Sequence, residues 1–210
     1  MYPNHLKNLI KAGKPAFGVS LQFPSIDIVE MIGILGFDWI LLDAEHGSIG
    51  HENVRSLIMA AQLNGITPIV RPENNQASTI NKYLDLGAMG IQAPHINNAE
   101  DAQNIVNYCL FHPTGFRSLA GGRMSDFGIG VSTKEFTEGS NERTLICVQI
   151  EDIVAVENLD EILSVEGIDV FFVGPTDLSQ SLGYADGKNH PEAKKIIYSI
   201  LKRITESGKK

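Results

Sequence analysis

The sequence predicts a single domain, residues 1–210, built as a parallel α/β barrel of the (β/α)8 type. Short apolar runs recur along the chain, helical patterns separate most of them, and most connections are short. This alternation is the pattern of βαβ units in a parallel sheet. The alternative is a doubly wound, nucleotide-binding sheet. Its first strand-to-helix turn would carry GxGxxG, but here that turn reads LQFPSID, and GxxxxGK[ST] is also absent, so we favour the barrel.

The strands are predicted from apolar runs that are continuous rather than alternating, as in strands buried on both faces. Several runs are rich in β-branched and aromatic residues, which favour strands. In chain order they are FGVSL (17–21), DWILLD (38–43), TPIVR (67–71), GIQAP (90–94), TLICVQIE (144–151) and DVFFVGP (169–175).

The helices are predicted from apolar residues at helical spacing, and several of these patterns end in a glycine that suits a left-handed C-cap. They are SIDIVEMIGILG (25–36), HENVRSLIMAAQLNG (51–65), QASTINKYLDLG (76–87), NAEDAQNIVNYCL (98–110), VAVENLDEILSVEG (154–167) and PEAKKIIYSILKRITESGKK (191–210). The segment 111–144 between the fourth and fifth strands is too long and too rich in glycine for an ordinary connection, so we expect it to be a functional or disordered loop.

Composition excludes several classes of partner. The net charge of -8 and the pI near 5.2 disfavour a nucleic-acid or anionic-membrane surface, because no basic patch offsets them. Cys109 and Cys147 lack CxxC spacing and are expected to be buried free thiols, which suits a reducing cytoplasm. No apolar run reaches the length of a membrane helix, and the amino terminus lacks the apolar core of a secretion signal.

Chemistry is expected where the strands end, since barrel enzymes place their active sites at the carboxyl ends of the strands. Polar residues follow four of the predicted strands there: Asp43, Glu45 and His46 after the second, Arg71 after the third, Gln149 and Glu151 after the fifth, and Asp177 after the sixth. We expect these side chains to converge on one rim.

A divalent metal site is predicted from Glu151 and Asp177, because two carboxylates plus waters are a usual protein share of a Mg²⁺ or Mn²⁺ site. His46 is a possible third ligand, although zinc sites generally collect more His and Cys than this rim offers. The alternative is that the two acids only cap the helices that follow them.

His46 is predicted to act as a general base, with Asp43 as the carboxylate that orients its imidazole. Glu45 is one residue out of phase with His46 and receives no role. Arg71 can hold a carboxylate or a developing enolate, or it can form an ordinary ion pair. A metal, a base and an arginine suit an enolate intermediate, as in aldol cleavage. The other aldolase strategy requires a Schiff-base lysine, and no predicted strand contains a lysine.

Taken together, WILLDAEHG, PIVRP, LDLGAMGIQAPHI, GFRSLAGGR, VQIED and GIDVFFVGPTDLSQSLG resemble the HpcH/HpaI aldolases over nearly the whole chain. The resemblance implies a metal-dependent class II pyruvate aldolase of aromatic-compound catabolism, acting on 4-hydroxy-2-oxoheptanedioate or 2-dehydro-3-deoxy-aldarate types of substrate. It implies Mg²⁺, Mn²⁺ or Co²⁺ as the cofactor, no nucleotide cofactor, and a homo-oligomer, by resemblance a hexamer.

The resemblance also assigns roles to residues. Glu151 and Asp177 are implied as metal ligands, His46 as the base with Asp43 as its partner, and Arg71 as the group that holds the pyruvate carboxylate and enolate oxygen. Gln149 and the backbone at Gly174 and Pro175 are implied to line the pyruvate pocket. Asp85 resembles an acid that is offered to the site of a neighbouring subunit.

One departure from the family pattern concerns strand number. Six strands are predicted, whereas a (β/α)8 barrel closes with eight. We therefore expect these residues to lack the last two strands and the terminal helix, and to belong to a protein of roughly 250 residues. A CoA-thioester lyase of a related barrel family and a non-catalytic barrel-like binding protein are the competing hypotheses.

Overall fold

A computed structural model describes residues 2–184 and 186–210 of the chain. Among these residues lie six strands whose order in the sheet follows their order in the chain, and every pair whose register is described is parallel. They are β1 (Gly18–Leu21), β2 (Trp39–Asp43), β3 (Thr67–Arg71), β4 (Gly90–Ala93), β5 (Leu145–Ile150) and β6 (Val170–Val173). The parallel α/β prediction is confirmed, whereas closure by two further strands stays a prediction.

The predicted helices lie close to their expected positions, and the structure adds three that were not predicted. In chain order the helices are α1 (His5–Lys11), α2 (Ile26–Ile34), α3 (His51–Leu63), α4 (Ala77–Leu86), α5 (Ala99–Cys109), α6 (Thr133–Arg143), α7 (Ile153–Glu157), α8 (Leu159–Leu163), α9 (Pro175–Ser181) and α10 (Pro191–Glu206). Those not predicted are α1, α6 and α9. The helix predicted over 154–167 is instead two short helices, because Asn158 leaves helical geometry and donates its side-chain amide to the Asn97 carbonyl at 2.9 Å.

The segment 111–144 contains regular structure, which corrects the expectation of a loop throughout. A 3₁₀ turn spans Arg123–Gly128 and α6 follows it. Ser132 and Glu135 begin α6 with a capping box, in which each side chain bonds the backbone amide of the other residue. The sequence signal S-x-x-E was therefore available for this helix.

The chain divides into two compact units. The first unit comprises Met1–Gln92 and Asn107–Leu145. Its core is formed by apolar residues of β2 and β3 and of the inner faces of α3 and α4, including Ile40, Leu42, Leu57, Ile58, Val70, Ile80 and Leu84. Gly18 pairs in register with Trp39, and the Trp39 indole ring occupies the space that a Cβ at Gly18 would need.

The second unit comprises Ala93–Val106 and Ile146–Lys210. β5 and β6 pair from Cys147↔Val170 to Ile150↔Val173. α10 packs with Ile200 and Ile204 buried, and Arg203 fixes it by donating to Asp160 Oδ1 at 2.8 Å and to the Val156 carbonyl at 3.3 Å.

Both cysteines are free and buried, as predicted. Burial raises the pKa of the Cys147 thiol well above its usual range, so the thiolate is disfavoured. Within the part of the chain that the structure describes, we find no helix with the length and apolar character needed to cross a bilayer.

Candidate active site

One polar cluster lies in the first unit at the carboxyl ends of β2 and β3. We call it the Arg71 cluster, and it consists of Gln22, Asp43, Glu45, His46 and Arg71. Asp43 and Arg71 are register partners on adjacent strands, so their side chains leave the sheet side by side. Arg71 donates from Nε to Asp43 Oδ1 at 3.0 Å and from Nη2 to Oδ2 at 2.6 Å. This bidentate geometry is the strong form of an arginine–carboxylate pair.

Asp43 is completely buried, yet it is held as the carboxylate. Burial raises the pKa of Asp43, but the hydrogen bonds from Arg71, the His46 amide and Gln22, together with the charge of Arg71, outweigh burial and hold the pKa below its usual value. The Gln22 amide reaches Asp43 Oδ2 at 3.2 Å. A fixed negative charge therefore orients the Arg71 guanidinium, whose side chain is 13% exposed.

The imidazole of His46 does not have the expected partner. The Asp43 carboxylate accepts from the backbone amide of His46 at 3.2 Å. The imidazole Nε2 lies 3.6 Å from Glu45 Oε2, and the same oxygen of Glu45 lies 3.2 Å from Arg71 Nε. Glu45, for which no role was predicted, is thus the carboxylate that lies between His46 and Arg71.

The turn after β2 places Glu45 and His46 by tight backbone contacts. Ser48 donates its amide to the Gln22 carbonyl at 2.7 Å, and Ala44 donates its amide to the Arg71 carbonyl at 2.9 Å. Gly47 lies against the backbone carbonyls of Asp43 and Gln22, in space that a side chain would fill. Only glycine fits this close approach without moving the turn.

A second polar cluster lies in the second unit, after β5. We call it the Glu151 cluster, and it consists of His95, Gln149, Glu151, Asp152 and Gly174. The Glu151 carboxylate is almost completely buried. It accepts from the Gln149 side-chain amide and from the His95 backbone amide, the latter at 2.7 Å. Gln149, expected to contact pyruvate, thus directs its amide nitrogen to Glu151.

His95 was missed by the sequence reasoning. It follows β4, and the same rule that selected the ends of the other strands would have selected it. Its φ of 52° is rare outside glycine and directs its amide towards Glu151. The imidazole Nδ1 lies 3.1 Å from Asp152 Oδ2 and 3.4 Å from Glu151 Oε1.

Neither of the two predicted metal ligands is the N-cap residue of the helix that follows it. The N-cap residues of α7 and α9 are Asp152 and Gly174, whereas Glu151 precedes α7 and Asp177 lies inside the first turn of α9. Pro175 begins α9 at its first position, where its missing amide costs no hydrogen bond.

The donor chemistry around Glu151 fits a hard divalent cation. Carboxylate oxygens are the protein ligands that Mg²⁺ and Mn²⁺ prefer. A Cβ at Gly174 would lie 2.7 Å from Glu151 Oε2, so the glycine keeps space open beside that oxygen. In the described residues no group of three or more His, Cys, Asp or Glu side chains could hold a metal, so a site here would rest on two carboxylates and water.

Asp85, at the end of α4, accepts a hydrogen bond from Arg117 Nη2 at 2.9 Å. The Arg117 side chain is almost fully buried and lies over the Phe111 ring, 4.6 Å from its centroid. Asp85 itself is partly exposed. Its predicted contribution to a neighbouring subunit stays a prediction.

Comparison with known proteins gives a consistent result. The family model described as HpcH/HpaI aldolase/citrate lyase matches residues 19–210. A hydroxypyruvate/pyruvate aldolase of Roseobacter denitrificans is 36% identical over 208 residues, which covers 98% of this chain and 80% of that protein. A 4-hydroxy-2-oxo-heptane-1,7-dioate aldolase of Escherichia coli is 34% identical over 206 residues, covering 98% and 78%.

Solved structures agree with the sequence relatives. An HpcH/HpaI aldolase from Desulfitobacterium hafniense DCB-2 superposes with a TM-score of 0.90 at 30% identity, covering 97% of this chain and 79% of that chain. A citrate synthase superposes with a TM-score of 0.87 at 32% identity, covering 98% and 79%.

Proposed function

The chain belongs to the HpcH/HpaI aldolase/citrate lyase family and is therefore a carbon–carbon lyase, and from this premise we propose a specific reaction. The reaction is reversible, metal-dependent cleavage of 4-hydroxy-2-oxo acids to pyruvate and an aldehyde. The similar Escherichia coli protein is named for a substrate of this type. The observation that carries the proposal is the buried Asp43–Arg71 pair, which holds a guanidinium in fixed orientation beside His46.

Arg71 binds the carboxylate and the developing enolate oxygen of the pyruvate moiety. Its fork of donors matches a planar carboxylate, and its orientation is set before substrate binds, so little reorganisation is needed in the transition state. Asp43 acts through Arg71 by holding the guanidinium. It reaches His46 only through the backbone amide, which positions the turn.

His46 moves the proton of the 4-hydroxyl group, directly or through a water. Its side chain is 53% exposed, so the imidazole is accessible to a ligand. Glu45 orients the imidazole through the contact of its Oε2 with His46 Nε2 at 3.6 Å.

Glu151 and Asp177 are the residues that would hold a divalent cation. The chemistry that Mg²⁺, Mn²⁺ or Co²⁺ supplies when bound is Lewis-acid stabilisation of the enolate oxygen. Gln149 and the His95 amide hold the Glu151 carboxylate in place. The backbone at Gly174 and Pro175 is proposed to line the pyruvate pocket.

Chelation should abolish pyruvate release from 4-hydroxy-2-oxo acids, and Mg²⁺, Mn²⁺ or Co²⁺ should restore it. Borohydride added with pyruvate should yield no pyruvyl-lysine adduct, because none of the six strands carries a lysine that could form a Schiff base. A coupled pyruvate assay with and without EDTA, followed by mass spectrometry, checks both results. Full activity after exhaustive chelation, or a reduced adduct, would contradict the mechanism.

His46→Ala should lower kcat by roughly 10² to 10⁴, the usual contribution of a positioned acid or base, while metal affinity is retained. His5→Ala is a matched control, since His5 is equally exposed and also lies beside a carboxylate, Asp38, at 3.2 Å. Glu45→Gln should lower kcat in the same direction but less. Loss of metal affinity in His46→Ala would instead make His46 a ligand.

A second candidate is carbon–carbon bond formation between two acids, which the likeness to a solved citrate synthase favours. It uses the same enolate chemistry in the opposite direction. Incubation with oxaloacetate and an acetyl donor, followed by analysis for citrate, distinguishes it from the reversible aldol reaction, because citrate is not a 4-hydroxy-2-oxo acid.

A further inference from the structure

A cavity of about 240 Å³ lies in the first unit, away from the Arg71 cluster. Ala88 and Met89, directly before β4, and Thr144, directly before β5, form part of its wall. Asp43 and Arg71 stand at the opposite, carboxyl ends of β2 and β3. Because these strands are parallel, the cavity is at the other end of the sheet and is not part of the Arg71 cluster.

Gln62, in the last turn of α3, lines this cavity and is only 6% exposed. Its Nε2 donates to the Gly87 carbonyl at 3.0 Å, which fixes the orientation of the amide. Its Oε1 is buried and has no hydrogen-bond partner among the residues that the structure describes. A buried acceptor is rarely left unpaired in a folded protein, so the oxygen is set to receive a donor from a bound molecule.

The charged groups of the cavity wall favour an anion. Two guanidinium groups, Arg123 and Arg143, line it, against one carboxylate, Asp126. Burial lowers the pKa of Arg143, while the nearby carboxylates of Glu142 and Asp126 act in the opposite direction. Gly87 has a φ of 115°, and a Cβ there would lie 2.8 Å from Arg123 Nη1, so the glycine admits the arginine to this position.

The rest of the wall is apolar, with the side chains of Met89, Met124 and Phe127. We propose that the cavity binds a small hydroxycarboxylate whose carboxylate pairs with Arg123 and Arg143, whose hydroxyl donates to Gln62 Oε1, and whose short carbon chain packs against the methionines. This proposal does not depend on the reaction proposed for the Arg71 cluster, because the cavity lies at the other end of the sheet.

Two acids that differ only in the hydroxyl group test this proposal, 2-hydroxybutanoate and butanoate. Methyl NMR of ¹³C-methionine protein reports the location of binding, because Met89 and Met124 line the cavity whereas Met31 and Met59 lie exposed on α2 and α3. Titration should shift the Met89 and Met124 signals and leave the other two in place. The hydroxy acid should bind about fivefold more tightly, the usual effect of one hydrogen bond.

Variants identify the two contacts. Gln62→Leu should bring the affinity ratio of the two acids to about 1, whereas Gln180→Leu, the same change at an exposed position of α9, should leave the ratio unchanged. Arg123→Gln should weaken both acids alike, by about tenfold. The proposal is overturned if wild-type Met89 and Met124 do not respond, if the two acids bind the wild-type protein equally, or if folded Gln62→Leu keeps the ratio. The wild-type titration alone decides the matter if Gln62→Leu does not fold.

Discussion

Glu151→Gln should abolish metal-dependent turnover, with kcat reduced by about 10³ or more, because the enolate loses several kcal/mol of stabilisation. The substitution keeps the shape of the side chain and removes one of only two charges proposed to hold the cation. Asp177→Asn should have the same effect on turnover. Titration calorimetry with Mn²⁺ should show strongly weakened binding in both variants, which is a readout independent of catalysis.

The two variants should differ in stability. Glu151 accepts from two donors, the Gln149 side chain and the His95 amide, and a carboxamide must turn its own NH₂ towards one of them. Glu151→Gln should therefore lose about 1–3 kcal/mol of unfolding free energy, the cost of an unsatisfied buried group. Among the contacts of the described residues, no donor bonds the Asp177 carboxylate, so an asparagine NH₂ at this position would not face another donor. The stability of Asp177→Asn should therefore be close to that of the wild-type protein.

Glu157→Gln is the matched control, since it makes the same change at an exposed position of α7. It should retain Mn²⁺ binding, turnover and stability. Unchanged Mn²⁺ affinity in both Glu151→Gln and Asp177→Asn would refute the metal assignment while leaving the family membership intact.

Arg71→Met should destabilise the protein by about 3–5 kcal/mol, because it leaves the fully buried Asp43 carboxylate without its cation. Turnover should fall by at least about 10² to 10³, the contribution of a preorganised donor to an oxyanion. Urea denaturation and steady-state kinetics measure the two effects separately.

The double variant Asp43→Asn/Arg71→Met separates stability from catalysis. With the buried charge removed together with its partner, most of the lost stability should return, whereas activity should not. If the double variant is no more stable than Arg71→Met, the buried ion pair does not have the energetic role inferred from its geometry.

The pair also predicts an acid dependence. The pKa of Asp43 is lower in the folded protein than its usual value. Its contribution to stability is therefore fully present above the usual pKa of an aspartate and is lost as the pH falls through the lowered value. Asp43→Asn/Arg71→Met should lack this part of the acid-induced loss of stability.

Most of the fold could be predicted because its four central strands, β2 to β5, are almost entirely buried, whereas β1 and β6 are partly exposed. TPIVR was predicted at 67–71 and is found there, and the other strands differ by one or two residues at their ends. Continuous apolar runs bounded by helical patterns can be assigned as strands, because the neighbouring segments show the different periodicity of helices. The break at Asn158 was not predictable in the same way, since it depends on a hydrogen bond to Asn97, which is distant in sequence.

The positions of the two polar clusters were predictable, but their contacts were not. The rule that chemistry collects at strand ends located Asp43, Arg71 and Glu151. It could not predict that Glu45 contacts the His46 imidazole. Side chains point alternately to the two faces along a strand, but beyond the last residue of β2 their directions are set by the turn. That turn depends on the Gln22 carbonyl and on Gly47, neither of which has a sequence motif.

The pairing of Asp43 with Arg71 across β2 and β3 constrains how this sequence can evolve. A slip of one residue would set Arg71 opposite Leu42 and reverse the faces of every side chain on the strand, so the ion pair also specifies the register. Replacing Arg71 alone leaves the buried Asp43 carboxylate without its cation, and exchanging the two residues would move the cation to the neighbouring strand. A change at one of these two positions is therefore expected to require a compensating change at the other if the strand register and the stability of the pair are to be kept.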